Sequence, residues 1–160
     1  MTAERAPDLP SFRPRPPWLT GDLQTLRNFL LRPRIDLAPW PGERLWLPVS
    51  GGDALAASLH ARERLGERPL VVLIHGLSGC EDSIYLRASA RFWLSLGHPV
   101  LRLNLRGSHP SRPHCRGHYH GGRSEDPYAA LDTLLSRERA AARQGLILVG
   151  YSLGGNVLIK

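Results

Sequence analysis

The sequence predicts an α/β fold, a mostly parallel sheet with helices on both faces. Three observations carry that expectation. Residues 70–74 (LVVLI) and 146–149 (LILV) are short apolar runs rich in β-branched residues, as suits strands buried on both faces. Such runs alternate with segments whose apolar residues recur at helical spacing, the order of right-handed βαβ units. The chain has 160 residues, 42% apolar and 22% charged. That suits one globular domain with a real core and excludes a disordered or collagen-like chain.

The elements follow in order. Residues 1–18 carry Pro7, Pro10, Pro14, Pro16 and Pro17 among arginines and read as an extended arm. Thr20 is a candidate N-cap with Asp22 in the first turn. Leu19, Leu23, Leu26 and Leu30 follow at helical spacing, up to Pro33. This helix reads as packed on the domain or, with Arg27, Arg32 and Arg34 beside it, as a peripheral membrane contact. The expected division is an arm and helix over residues 1–42 and the α/β domain over residues 43–160. Residues 45–49 read as a strand, 50–53 as a hairpin turn and 54–61 as a weaker strand. Residues 80–97 read as a helix with Ile84, Ala88, Phe92 and Leu96 on its apolar face and Gly97 as its stop. A strand over 99–105, a long loop over 106–124 and a helix over 125–143 come next. Pro127 lies near that helix's first turn and Gly145 at its end, before the 146–149 strand.

The net charge is +7, and of the 21 Lys and Arg residues all but Lys160 are Arg. The acid-free basic stretch, residues 102–123, holds five Arg and four His. It is rich in Gly and Pro and supplies neither a reading helix nor stacking aromatics, so nucleic-acid binding is not expected. No run of 18 apolar residues occurs, and the first 20 residues hold no apolar h-region. Neither a membrane-spanning helix nor a secretory signal is expected. Cys80 and Cys115, with no CxxC, fit free thiols in the cytoplasm. His109, His114, Cys115, His118 and His120 lie close together but match no common zinc spacing. No phosphate-binding glycine motif occurs either, so no metal or nucleotide cofactor is expected.

One motif carries chemistry. Gly150-Tyr151-Ser152-Leu153-Gly154 matches G-x-S-x-G, after a buried strand and at a helix start. So sharp a turn forces Ser152 toward φ > 0, at a cost of about 1–3 kcal/mol. Gly150 and Gly154 flank it because side chains there would collide with the tight backbone. The turn holds the Ser152 hydroxyl clear of the sheet, where a base and a substrate can reach it. The plain alternative is a glycine-rich turn without chemistry. The loop His75-Gly76-Leu77-Ser78-Gly79 follows the 70–74 strand. In nucleophile-elbow enzymes this loop and the residue after the nucleophile each supply an oxyanion N–H. The candidate donors are the backbone amides of Leu77 and Leu153. His75 reads as a strand-end histidine that shapes the loop.

These residues are joined by Leu23-Gln24-Thr25, Asn104-Leu105-Arg106-Gly107, Tyr119-His120-Gly121-Gly122 before Glu125-Asp126, and Gly155-Asn156. With them the chain resembles, over nearly its whole length, the YheT/EMB8-like esterase family of the α/β-hydrolase superfamily. The resemblance implies the α/β-hydrolase fold and hydrolysis of a small-molecule carboxylic ester through a serine acyl-enzyme. It implies no cofactor.

Members of that family are substantially longer, and the triad of this fold runs Ser, then acid, then His. The eight residues after Ser152 include neither an acid nor a histidine. The expectation is therefore the N-terminal half of such a hydrolase, truncated after the nucleophile elbow and nearly inert alone. Loss of the base has cost a triad about 10⁶ in kcat. The oxyanion hole and binding leave about 10³–10⁴ over water. An acyltransferase on the same fold and a non-catalytic binding module remain open. In the family's sheet order the 146–149 strand lies mid-sheet. Without its neighbour it becomes an apolar edge, and self-association through that edge is expected.

Overall fold

The computed structural model describes residues 11–31 and 33–160, so most of the expected arm lies outside the described residues. The chain divides into two compact units, Met1–Pro33 and Arg34–Lys160. In the first, helix α1 spans Gly21–Leu31. Thr20 caps it, its Oγ1 accepting the Leu23 N–H at 3.3 Å, and Asp22 stands in the first turn.

The second unit is built on five strands: β1 Gly42–Pro48, β2 Ala54–His60, β3 Leu70–Ile74, β4 Val100–Leu103 and β5 Leu146–Gly150. Their spatial order is β1-β2-β4-β3-β5. β3 pairs parallel with β4 and β5, while β2 pairs antiparallel with β1 and β4. Helices α2 (Ile84–Ser95), α3 (Glu125–Arg137) and α4 (Leu153–Leu158) follow β3, β4 and β5. β3 is buried at all five positions, and its alternation divides the core. Val71 and Leu73 pack with Leu86, Ala90 and Leu94 of α2. Leu70, Val72 and Ile74 pack with Leu131 and Leu134 of α3.

Three expectations change. The buried row of α2 is Leu86, Ala90 and Leu94, whereas Phe92 is 57% exposed and Leu96 is exposed too. Both rows repeat every four residues, and the choice was made by which one meets Val71 and Leu73. β2 is buried at every position after Ala54 and lies between β1 and β4. Burial between neighbours outweighs the poor strand propensity of its alanines. The helix expected over 125–143 breaks at Glu138 (φ −114°, ψ 69°) and resumes as a 3₁₀ turn, Arg139–Ala142, which buries Ala141. At the break, the Glu138 carboxylate accepts from Arg62, whose guanidinium also holds Glu43.

β3, β4 and β5 all run out at one end of the sheet. The loops that follow them therefore gather there, as in other open α/β sheets. β5 pairs with β3 alone, and its far edge has no partner among the described residues.

Candidate active site

The elbow is built by steric exclusion. Beyond β5, the Tyr151 N–H donates to the Ile74 carbonyl at 3.0 Å and holds the turn against the end of β3. Ser152 adopts φ 51°, ψ −115°, and α4 begins at Leu153. A Cβ on Gly150 would lie 2.5 Å from the Gly154 carbonyl. One on Gly154 would lie 2.5 Å from the His75 oxygen. Both clashes are with backbone, so only glycine fits. Ser152 is exposed, and its hydroxyl has no hydrogen-bond partner among the described residues.

The loop after β3 lies against this turn. A Cβ on Gly76 would lie 2.9 Å from the Tyr151 oxygen and 3.2 Å from the Ser152 Cβ. Neither the Leu77 nor the Leu153 N–H has a hydrogen-bond partner among the described residues. The Leu77 side chain is 70% exposed. Gly76, Leu77, Tyr85, Tyr151 and Ser152 line a cleft of about 300 Å³. Another cleft, about 380 Å³, lies between Tyr128, Leu131, Leu148 and Leu158. It flanks the unpaired β5 edge, and Ser124 and Lys160 also line it.

His75 is fully buried and holds the loop rather than the serine. Its Nδ1–H donates to the Gly76 carbonyl at 2.8 Å, and Nε2 accepts the Leu105 N–H at 3.1 Å. His60 is placed similarly: Nδ1–H donates to the Trp40 carbonyl at 2.7 Å, and Nε2 accepts from Arg102 at 3.1 Å. Burial pushes both imidazoles below their ordinary value, despite the pull of the accepting carbonyls. An unfolded histidine protonates near pH 6.5 (about that value in model peptides), before the folded ones do. Stability is then complete above about pH 6.5 and falls as the pH drops below it. The melting temperature is expected to be lower at pH 5.5 than at pH 7.5. Equal melting temperatures would show that neither burial matters.

The basic stretch is largely consumed by structure. Arg106 is buried; its Nε and Nη2 donate to Asp126 at 2.7 and 2.6 Å, and Nη1 donates to Asp53. Asp126 first, and then Asp53, hold the guanidinium still more firmly charged. Arg102 is buried against the Glu81 carbonyl at 2.6 Å, and Arg123 faces Asp126 at 3.1 Å. Asn104 accepts the Glu81 N–H at 2.8 Å and donates to its carboxylate at 2.7 Å, a carboxylate that Arg44 also grips. Apart from Arg123 and Asp126, three residues apart, these pairings leave no mark in the sequence, because Asp53, Glu81 and Asp126 are remote from Arg106 and Arg44 along the chain.

The 106–124 loop crosses the same end of the sheet. The His114 ring packs tilted, at 50°, against Trp46 with ring centroids 4.0 Å apart, and the Arg116 N–H donates to Asp53 at 3.1 Å. At its other end the Gly121 carbonyl accepts from Asn156 of α4 at 2.8 Å. His120 Nδ1 accepts the Gly122 N–H at 3.2 Å. Cys80 and Cys115 are free thiols. Among the described residues no group of three or more His, Cys, Asp or Glu gathers in a way that could hold a metal, and no helix is long and apolar enough to cross a membrane.

No family model matches the chain. It is 33% identical over 141 residues to a protein of Escherichia coli (strain K12) named "Putative esterase YheT", covering 85% of this chain and 38% of that protein. It is 29% identical over 155 residues to abhydrolase domain-containing protein 2 of Drosophila melanogaster, covering 94% and 37%. The chain thus spans less than two-fifths of the length of these curated relatives. Among solved structures, an esterase of Pyrococcus furiosus superposes with a TM-score of 0.65 at 17% identity, covering 76% of this chain and 46% of that one. A thermostable carboxylesterase cloned from a metagenomic library gives 0.55 at 20% identity, covering 84% and 44%. At these identities the structures establish the fold.

Proposed function

We propose that this chain, a member of the α/β-hydrolase superfamily, carries the nucleophile and oxyanion donors of a serine carboxylesterase. One observation carries the reading: Ser152 stands at φ 51° on a glycine-walled turn, in a cleft it shares with Leu77, whose N–H, like that of Leu153, has no partner among the described residues. Ser152 Oγ attacks the carbonyl of a small-molecule ester. The Leu77 and Leu153 amides stabilise the oxyanion, the alcohol leaves, and water releases the acid. None of the described carboxylates or imidazoles hydrogen-bonds the Ser152 hydroxyl. Turnover by these residues alone is therefore expected to fall about 10⁶-fold short of a complete triad. Free Cys80 and Cys115 support a reducing compartment such as the cytoplasm.

A fluorophosphonate tests the reading, since a P–O bond to a reactive serine forms as fluoride leaves. Slow labelling is expected at Ser152 and is lost in Ser152→Ala. Labelling that survives the substitution, or none at all, tells against it.

Self-association belongs to the same proposal. Leu148 is 45% exposed on strand β5, whose far edge has no partner among the described residues. Such an edge is a pairing template, and a lysine blunts it. Sedimentation is expected to show dimers or larger species for the wild type and a monomer for Leu148→Lys. A monomeric wild type at high concentration contradicts this.

A further inference from the structure

We propose that Tyr119 and Tyr85 are positioning residues that leave the Leu77 N–H as the loop's free donor. The inference rests on reading Ser152 as a nucleophile. The amides around Leu77 are all engaged. The Gly76 N–H donates to the Tyr85 hydroxyl at 3.1 Å, and the Ser78 N–H donates to the Tyr119 hydroxyl at 2.8 Å. The Gly79 N–H closes on the Gly76 carbonyl at 3.1 Å. Fixing the amide planes on either side fixes the peptide that carries the Leu77 N–H between them. Ser78 itself holds φ 58°, a conformation that a non-glycine residue keeps only when its surroundings impose it.

Both tyrosines are tied to the nucleophile's side of the cleft. The Tyr85 ring packs on Tyr151, with centroids 4.8 Å apart. Tyr119 comes from the 106–124 loop. Its N–H donates to the Arg106 carbonyl at 2.9 Å, and two residues on, Gly121 is held by Asn156 of α4. Its ring stands edge-on to His75, the loop's other anchor, with centroids 5.6 Å apart. The loop therefore links the helix behind Ser152 to the amide in front of it.

The test is acetylation by p-nitrophenyl acetate, followed by mass spectrometry of the full chain. A C–O bond forms between Ser152 Oγ and the acetyl carbon, p-nitrophenolate leaves, and the hydroxyl proton passes to buffer. Outright loss of an oxyanion donor costs about 10²–10³ in rate. A donor that is present but free to turn is expected to lose about tenfold. Tyr119→Phe and Tyr85→Phe are each expected to slow acetylation by about that factor. The half-saturating ester concentration should not change, because the interaction matters only in the transition state. Tyr128→Phe, at an exposed position away from the cleft, is the control. If either phenylalanine variant fails to fold, the other still decides. Wild-type rates in the folded variants overturn the proposal while leaving Ser152 as nucleophile. No acetylation of wild-type Ser152 overturns both.

Discussion

Gly154→Ala is expected to destabilise the chain by about 3 kcal/mol, at or above the upper end of the usual cost of overpacking. The new methyl carbon would lie 2.5 Å from the His75 oxygen and 2.7 Å from the Ile74 oxygen. These are main-chain atoms at the end of a fully buried strand, so no side chain can swing away. Relief requires β3 and the elbow to part, which breaks the contact that presents Ser152. Alanine's better helix propensity returns only about 1 kcal/mol. In urea the unfolding midpoint should fall by about 1–3 M. Gly155→Ala is the internal comparison: its nearest contact, the Gly150 oxygen, is 3.2 Å away, and the loss should be smaller. Equal losses at the two positions would mean that the packing of elbow against β3 is not what confines position 154.

Arg106→Met is expected to cost about 3–5 kcal/mol, the usual penalty for stranding buried charge. The side chains of Arg106, Asp53 and Asp126 are each no more than 5% exposed. Removing the guanidinium leaves Asp53 with no counter-charge among the described residues, only the Arg116 N–H, and leaves Asp126 with Arg123 alone, at 3.1 Å. The same group also donates to the Ser50 carbonyl at 3.2 Å, so the β1–β2 turn loses a tie to the loop after β4. Lysine should not rescue the loss, because a single ammonium cannot reproduce the planar fork that meets both acids. Combining Arg106→Met with Asp126→Asn should cost less than the sum of the two single changes, by roughly 0.5–3 kcal/mol. Strict additivity, measured by denaturant titration of all four proteins, would show that the pair is not coupled.

What could be read from the sequence was local. The five residues of β3 form an unbroken apolar run and are buried without exception, since a strand covered on both faces has no polar positions to offer. The tight turn at Ser152 is partly legible because Gly150 is dictated locally, by Gly154, whereas Gly154 is dictated by the remote His75 and Ile74 oxygens at the end of β3. Helix α2 shows the limit. Ile84, Ala88, Phe92 and Leu96 are spaced as regularly as Leu86, Ala90 and Leu94, and only the sheet beneath distinguishes the two rows. Arg106 shows another: nothing near it announces Asp53 or Asp126, so an acid-free stretch looks basic until the fold brings its counter-charges in. The tyrosine hydroxyls on the Gly76 and Ser78 amides leave no trace in spacing at all. A side chain that bonds to backbone places no demand on the identity of the residue it holds.

A crystal structure of the phosphonylated chain tests the central claim most directly. The account predicts phosphorus bonded to Ser152 Oγ and one phosphoryl oxygen about 2.7–3.1 Å from both the Leu77 and Leu153 nitrogens, the range of a working oxyanion hole. Phosphorus on another side chain, or a phosphoryl oxygen turned to solvent while both amides stay empty, would contradict it.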